Sequence, residues 1–84
     1  MTVMNIPEHE NAQCKILLEG GVYYLRSYDT LVAMYSTRTG EIDCTGIYSR
    51  TTAKHISWFA KFLNQMCGTN FSYDVFKSAI AKRR

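Results

Sequence analysis

The chain has 84 residues, a net charge of +3 and a hydrophobic fraction of 46%. That length fits one small domain, and the hydrophobic fraction excludes an intrinsically disordered chain. No apolar run is long enough to cross a bilayer, and the first eleven residues lack the charged-then-apolar layout of a signal peptide. We therefore expect a soluble, cytoplasmic protein that does not contact a membrane, with little room for a deep substrate cleft.

The charge is distributed unevenly along the chain. Residues 1–45 contain three cations against six acidic residues, whereas residues 46–84 contain seven cations against Asp74 alone. Such asymmetry is typical of a protein whose basic part meets an acidic or polyanionic partner. Solvated lysines on helix surfaces are the plainer explanation for any single charge.

The cysteines predict neither a disulfide framework nor a metal site. Cys14, Cys44 and Cys67 are odd in number and far apart, and no C-x-x-C pair occurs. Each lies at an apolar position, where a reduced cysteine acts as a small hydrophobe. We expect no metal and no cofactor.

Residues 1–12 are predicted to form a flexible, polar arm, and residues 13–84 a single α+β domain. His9 lies between Glu8 and Glu10, and we interpret this acidic stretch as a solvated tail, since one histidine with adjacent carboxylates makes a poor metal cage.

Four strands are predicted next, over residues 13–19, 22–28, 31–37 and 41–49. The first alternates Cys14, Ile16 and Leu18 on one face. Gly20-Gly21 supplies the positive φ of a tight hairpin, and Gly40 marks a later turn. Sequential strands with short connections predict a four-stranded antiparallel meander.

From Thr51 to Cys67 the apolar period changes from two to 3.6, which predicts one long amphipathic helix that ends at Gly68. A short C-terminal helix follows, with Ser72 as its N-cap and Phe71 packed against Phe76. The predicted fold is an α+β meander covered by these two helices.

The stretch YSRTTAKHISWF (48–59) holds the strongest candidates for a site. Ser49, Thr51 and Thr52 lie where backbone N–H groups at a helix start can receive an anion. Arg50 and Lys54 stand at that start, where acidic residues are usual. The alternative is that the hydroxyls cap the helix and both cations reach into water.

Trp58 falls on the polar side of the predicted helix, beside Lys54 and Lys61. A tryptophan flanked by lysines suits stacking on nucleic-acid bases, and it equally suits the centre of a protein interface. A third interpretation is that the second helix or the N-terminal arm packs over it. We predict a binding surface formed by Arg50, Lys54, Trp58 and Lys61.

His55 is the one candidate for a catalytic base, with a cysteine or Ser49 as nucleophile. Sequence spacing does not impose the geometry of a triad, and no other catalytic motif occurs. A partly buried, hydrogen-bonded structural histidine is the favoured interpretation, so we predict no catalytic residues and no enzyme.

Two stretches, RSYDTLVAMYS (26–36) and GIYSRTTAKHISWFAKFL (46–63), carry a resemblance. Their S-Y-x-T-x-V-A and Y-S-x-T-T-x-K-H-I patterns resemble a family of small uncharacterised domains of phages and prophages of Gram-positive bacteria. The resemblance implies a mobile-element origin but no activity. Small accessory proteins of that origin often inhibit host defence machinery, as anti-CRISPR proteins do.

The sequence thus predicts a phage-type accessory protein that acts as a non-catalytic binding module in the host cytoplasm. Its partner is expected to be a host or phage protein with an acidic surface, or a nucleoprotein. The alternative is a nucleic-acid-binding protein that uses the basic C-terminal half, including Lys77, Lys82, Arg83 and Arg84. A small hydrolase-like enzyme that uses His55 is the third hypothesis.

Overall fold

The fold is known from a computed structural model, which describes residues 2–6, 8, 9, 11–46 and 50–82. Five strands precede two helices: β1 (Thr2–Met4), β2 (Cys14–Glu19), β3 (Val22–Ser27), β4 (Thr30–Ser36), β5 (Ile42–Cys44), α1 (Arg50–Cys67) and α2 (Tyr73–Lys82). The α+β class and the long and short helices agree with the prediction.

The strands form one antiparallel sheet in the order β1-β2-β3-β4-β5. The predicted strand count of four is wrong, because Thr2–Met4 adds a fifth strand beside β2. This strand lies inside the segment that the sequence assigned to a polar arm. Three residues are too few to show a period, and a short strand of this kind is common at a sheet edge.

Tight turns join the central strands. Gly20 and Gly21 connect β2 to β3 with φ values of 60° and 79°, as the sequence predicted. Tyr28 begins the turn between β3 and β4 with a φ of 56°. Only glycine, asparagine and aspartate visit that left-handed region routinely, so the tyrosine backbone is strained there.

Both helices cover the same face of the sheet. Ile16 and Leu25 on adjacent strands pack in one buried cluster with Phe59 of α1 and Phe76 of α2. The rings of Phe59 and Phe76 lie 5.6 Å apart between centroids. Ile6 also belongs to this cluster and is 2% exposed, so the N-terminal segment contributes to the core.

The connection between the helices is held by one side chain. Asn64 Oδ1 accepts hydrogen bonds from the Phe71 backbone N–H at 2.7 Å and from Thr69 Oγ1 at 2.8 Å. Its Nδ2 donates to the Phe71 carbonyl at 2.9 Å. Gly68 ends α1 with a φ of 68°, and Phe71 packs against Phe76 as predicted.

Within the described ranges, no helix has the length and apolar character needed to cross a bilayer.

Candidate functional site

The polar side of α1 presents Trp58 together with cations. The Lys54 ammonium lies 5.9 Å from the centroid of the Trp58 ring, within the range of a cation–π interaction. Trp58 is half-buried, whereas Lys54 and Lys61 are exposed. Lys54 and Trp58 therefore lie together on this side of the helix, and Lys61 is exposed three positions after Trp58.

The N-terminal segment packs on this tryptophan. The His9 and Trp58 rings are stacked with centroids 3.6 Å apart and 8° between their planes. His9 is half-buried, so its interpretation as part of a solvated tail is wrong. Of the three interpretations of Trp58, coverage by the N-terminal arm describes this contact.

A shallow cleft of about 170 Å³ separates the N-terminal segment from α1. Its walls include Glu8 and His9 on one side, and Trp58, Lys61 and Gln65 on the other. The cleft thus joins an aromatic surface to a cation, with an acidic residue of the same chain at its rim.

The residues of the predicted anion site at the start of α1 lie in different environments. Arg50 is the first helical residue and is exposed, Thr51 is half-buried, and Thr52 is 4% exposed. The first turn contains no acidic residue. Ser49 lies outside the described residues. Thr52 therefore faces inward, while Lys54 lies next to Trp58 and Arg50 is exposed at the helix start.

His55 lies on the inner side of the same helix. Its Nδ1 is 2.8 Å from Ser27 Oγ, and the two residues are only 2% and 3% exposed. Burial lowers the pKa of His55, and the nearby charge of Lys54 lowers it further. The pair therefore ties α1 to β3 with a neutral imidazole and presents no accessible nucleophile. Its partner Ser27 was missed because strand and helix residues far apart in sequence meet only in the fold.

Aromatic rings continue on both sides of His55. Its ring centroid lies 6.0 Å from that of Tyr28 and 5.5 Å from that of Trp58. Tyr28, His55, Trp58 and His9 thus form a continuous row from the β3–β4 turn to the N-terminal segment, which we call the aromatic row. Tyr28 is 54% exposed and could not be assigned to this row from sequence, because its position depends on the strained turn.

The part of the chain that the structure describes contains no group of three His, Cys, Asp or Glu side chains able to hold a metal ion. Cys14, Cys44 and Cys67 carry free thiols, and burial raises the pKa of Cys14.

Comparisons with known proteins give one match. No curated protein and no solved structure matches the chain. A family model described as a family of unknown function, DUF8033, matches residues 2–78, which include every strand, α1 and most of α2. The chain therefore belongs to the DUF8033 family of uncharacterised domains.

Proposed function

We propose that this protein is a non-catalytic binding module that contacts a macromolecular partner through Arg50, Lys54, Trp58 and Lys61, which we call the Trp58 surface. The observation that carries the proposal is a half-buried tryptophan with a lysine ammonium 5.9 Å from its ring centre. Tryptophan and arginine are the residue types that most often dominate interface energies.

The chemistry of this surface favours an acidic partner. Arg50, Lys54 and Lys61 are exposed, and the first turn of α1 offers no acidic residue to neutralise them. The basic helix start and the helix dipole both attract carboxylates. A partner that presents acidic side chains around a planar or apolar group would fit the surface, with Trp58 as the anchor.

The His9 ring covers part of the Trp58 indole, so a partner that stacks on the indole must displace His9. A stacked aromatic pair contributes only about 0.5–1.5 kcal/mol beyond the area that it buries. A partner ring can therefore replace His9 on the indole at modest cost. In the proposed binding reaction, stacking of a partner ring on Trp58 replaces the stacking of His9 on Trp58.

Phage or prophage origin and action against a host defence system belong to the same proposal. They rest on the resemblance of residues 26–36 and 46–63 to domains from mobile elements. The partner is then a host or phage protein, or a nucleoprotein such as a CRISPR effector, met in the host cytoplasm.

A plasmid-interference assay tests this. Expression of the protein in a Gram-positive host with an active CRISPR system should raise the survival of a targeted plasmid. Trp58→Ala, and separately Lys54→Glu with Lys61→Glu, should abolish the effect, and Met66→Ala on an exposed position of the same helix should retain it. Folding of each variant is checked by circular dichroism. Unchanged plasmid loss in the presence of the wild-type protein would contradict action on this defence system, and equal protection by all variants would contradict the Trp58 surface.

Nucleic-acid binding is the second candidate, favoured by the excess of cations in residues 46–84. Lys77 of α2 is exposed; the side chains of Lys82, Arg83 and Arg84 lie outside the described part. Gel shifts with single-stranded DNA, double-stranded DNA and RNA at 50 and 200 mM salt separate the two candidates, because phosphate contacts weaken steeply over about that range. No shift at the lower salt concentration would remove this candidate.

A further inference from the structure

The sheet has a second face, which the two helices do not cover. Side chains alternate between the faces of a strand, and the buried partners Ile16, Leu25 and Ala33 point to the helices. Their neighbours point to the opposite side. Across the strands, the register there aligns one row of paired residues: Val3 with Leu17, Leu17 with Tyr24, Tyr24 with Met34, and Met34 with Asp43. We call this side of the sheet the open face and this set the central row.

The open face is more apolar than a solvated sheet surface needs to be. Four of the five residues of the central row are apolar or aromatic: Val3 is 58% exposed, Tyr24 and Met34 are half-buried, and Leu17 is 9% exposed. Leu31, on the same side, is 46% exposed. A shallow hollow of about 180 Å³ lies between Tyr24, Leu31, Met34 and Asp43. Contiguous apolar surface of this kind usually marks a contact with another molecule.

Charges flank the central row in an ordered way. On β2, Lys15 stands two residues before Leu17 and Glu19 two residues after it. On β3, Arg26 lies beside Lys15, and Val22 lies beside Glu19. One side of the row therefore carries the cations Lys15 and Arg26, and the other side carries the carboxylate of Glu19.

This arrangement is complementary to itself. Consider a second molecule related to the first by a twofold axis that runs along the central row, so that the two open faces meet. Each strand then lies over the same strand of the second molecule, which runs in the opposite direction. Lys15 then lies opposite Glu19 of the second copy, and Tyr24 lies opposite its own copy. A twofold axis along the strands would instead place Arg26 against Arg26.

We propose that two copies of this chain associate through their open faces, with the twofold axis along the central row. The inference is independent of the proposed function, because the Trp58 surface belongs to the helical side of the molecule. Asp43 meets its own copy only at the edge of the sheet, where salt screens the repulsion.

Arg26 supports the proposal. Its Nε atom is buried, and among the described residues it has no hydrogen-bond partner. A buried donor without an acceptor is costly. In the proposed dimer, Glu19 of the second copy lies over the neighbouring strand and supplies a carboxylate within reach of a reoriented Arg26 side chain.

The area of the open face indicates the size class of the dimer interface. The 25 residues of the five strands, at about 4.8 Å between strands and about 3.4 Å along each strand, give a face of roughly 410 Å². Two such faces cover roughly 800 Å² in total, which is the size of a weak or transient interface. We expect a dimer that dissociates on dilution, with a dissociation constant on the order of micromolar.

Sedimentation equilibrium between 5 and 500 µM tests the charge pairing. Lys15→Glu alone and Glu19→Lys alone should each weaken association about tenfold, since the symmetric pair occurs twice and becomes repulsive. The double variant restores opposite charges and should associate within about threefold of the wild type. Lys77→Glu carries the same charge change on α2 and should leave association unchanged. Weakening by both single variants without recovery in the double variant would overturn the antiparallel arrangement.

A second pair of variants tests the apolar centre without relying on charge pairs. Met34→Lys places an ammonium in the middle of the contact and should leave only monomer over the whole concentration range. Met66→Lys makes the same change at a residue of α1 that is 60% exposed and should dimerise as the wild type does. A wild-type protein that stays monomeric at 500 µM would overturn the proposal. If a single-stranded oligonucleotide then protected the open face from hydrogen exchange, the open face would be assigned to nucleic-acid binding instead.

Discussion

The imidazole of His9 lies parallel to the indole of Trp58, with 3.6 Å between their centroids. This contact joins the N-terminal segment to the polar side of α1. Two backbone hydrogen bonds turn the chain on either side of His9. The His9 N–H donates to the Ile6 carbonyl, and the Ala12 N–H donates to the His9 carbonyl, each at 3.0 Å. Burial of Ile6 anchors the segment from the other side.

Replacement of His9 should expose the tryptophan. Trp58 is the single tryptophan of the chain, so tryptophan fluorescence reports the surroundings of this one ring. In His9→Ala, we expect emission at longer wavelength, stronger quenching by acrylamide, and a loss of about 1 kcal/mol in the free energy of unfolding. Gln13→Ala, at an exposed residue directly after this segment, is the control. Identical quenching of both variants would mean that His9 does not cover Trp58 in solution.

Removal of the Asn64 side chain should loosen the connection between the helices. Asn64→Ala deletes three hydrogen bonds and leaves the Phe71 backbone groups without their partner. We expect a loss of about 2–3 kcal/mol in urea unfolding. Asn64→Asp keeps the two accepted hydrogen bonds and loses the donated one, so its cost should be smaller. Equal costs for Ala and Asp would contradict the assigned amide orientation.

A change at Tyr28 should stabilise the protein. Its φ of 56° is unfavourable for a tyrosine and acceptable for an asparagine. Because the side chain is mostly exposed, Tyr28→Asn should raise the free energy of unfolding by up to about 1 kcal/mol. Gly20→Ala is the reciprocal control: an added Cβ has open space there, but φ is 60°, so about 1 kcal/mol should be lost. A less stable Tyr28→Asn would show that the contact of Tyr28 with His55 outweighs the backbone strain.

His55 should make stability depend on pH. Burial lowers its pKa in the folded state, whereas in the unfolded state it titrates near its ordinary value of about 6.5. The unfolded state therefore binds more protons as pH falls below that value, and the folded state loses stability there. The stability that buried, neutral His55 contributes is fully present above its ordinary pKa and is lost as the pH falls below it.

Urea unfolding at pH 7.5, 6.5 and 5.5 measures this effect. The wild type should lose up to about 1.4 kcal/mol more per pH unit than His55→Gln below pH 6.5. Comparison with the variant removes the contribution of the carboxylates, which both proteins share. Parallel pH profiles would show that His55 binds its proton equally well in both states.

Local sequence patterns predicted the central part of the fold. The apolar period of 3.6 residues predicted α1 and placed its start within one residue of Arg50, where the helix begins. The apolar stripe from Ile56 to Leu63 is long enough to be unambiguous. Gly20, Gly21 and Gly68 marked turns and a helix end, since positive φ values leave few other choices.

Long-range contacts account for what the sequence did not predict. The strand Thr2–Met4 exists because β2 offers it a hydrogen-bonding edge, and nothing in three residues alone encodes that pairing. His9 and Ser27 gain their roles from Trp58 and His55, which lie far along the chain. Asn64 looks like any polar helix residue until the following loop folds back on it.

Burial of Ile6 has a consequence for the order in which the protein folds during synthesis. The β2–β3 and β3–β4 hairpins need only neighbouring residues and can form early. Ile6 packs in a cluster with Phe59, Leu63 and Phe76, which leave the ribosome much later. The N-terminal segment, which is translated before the helices, must therefore wait for them, and its docking completes the native state.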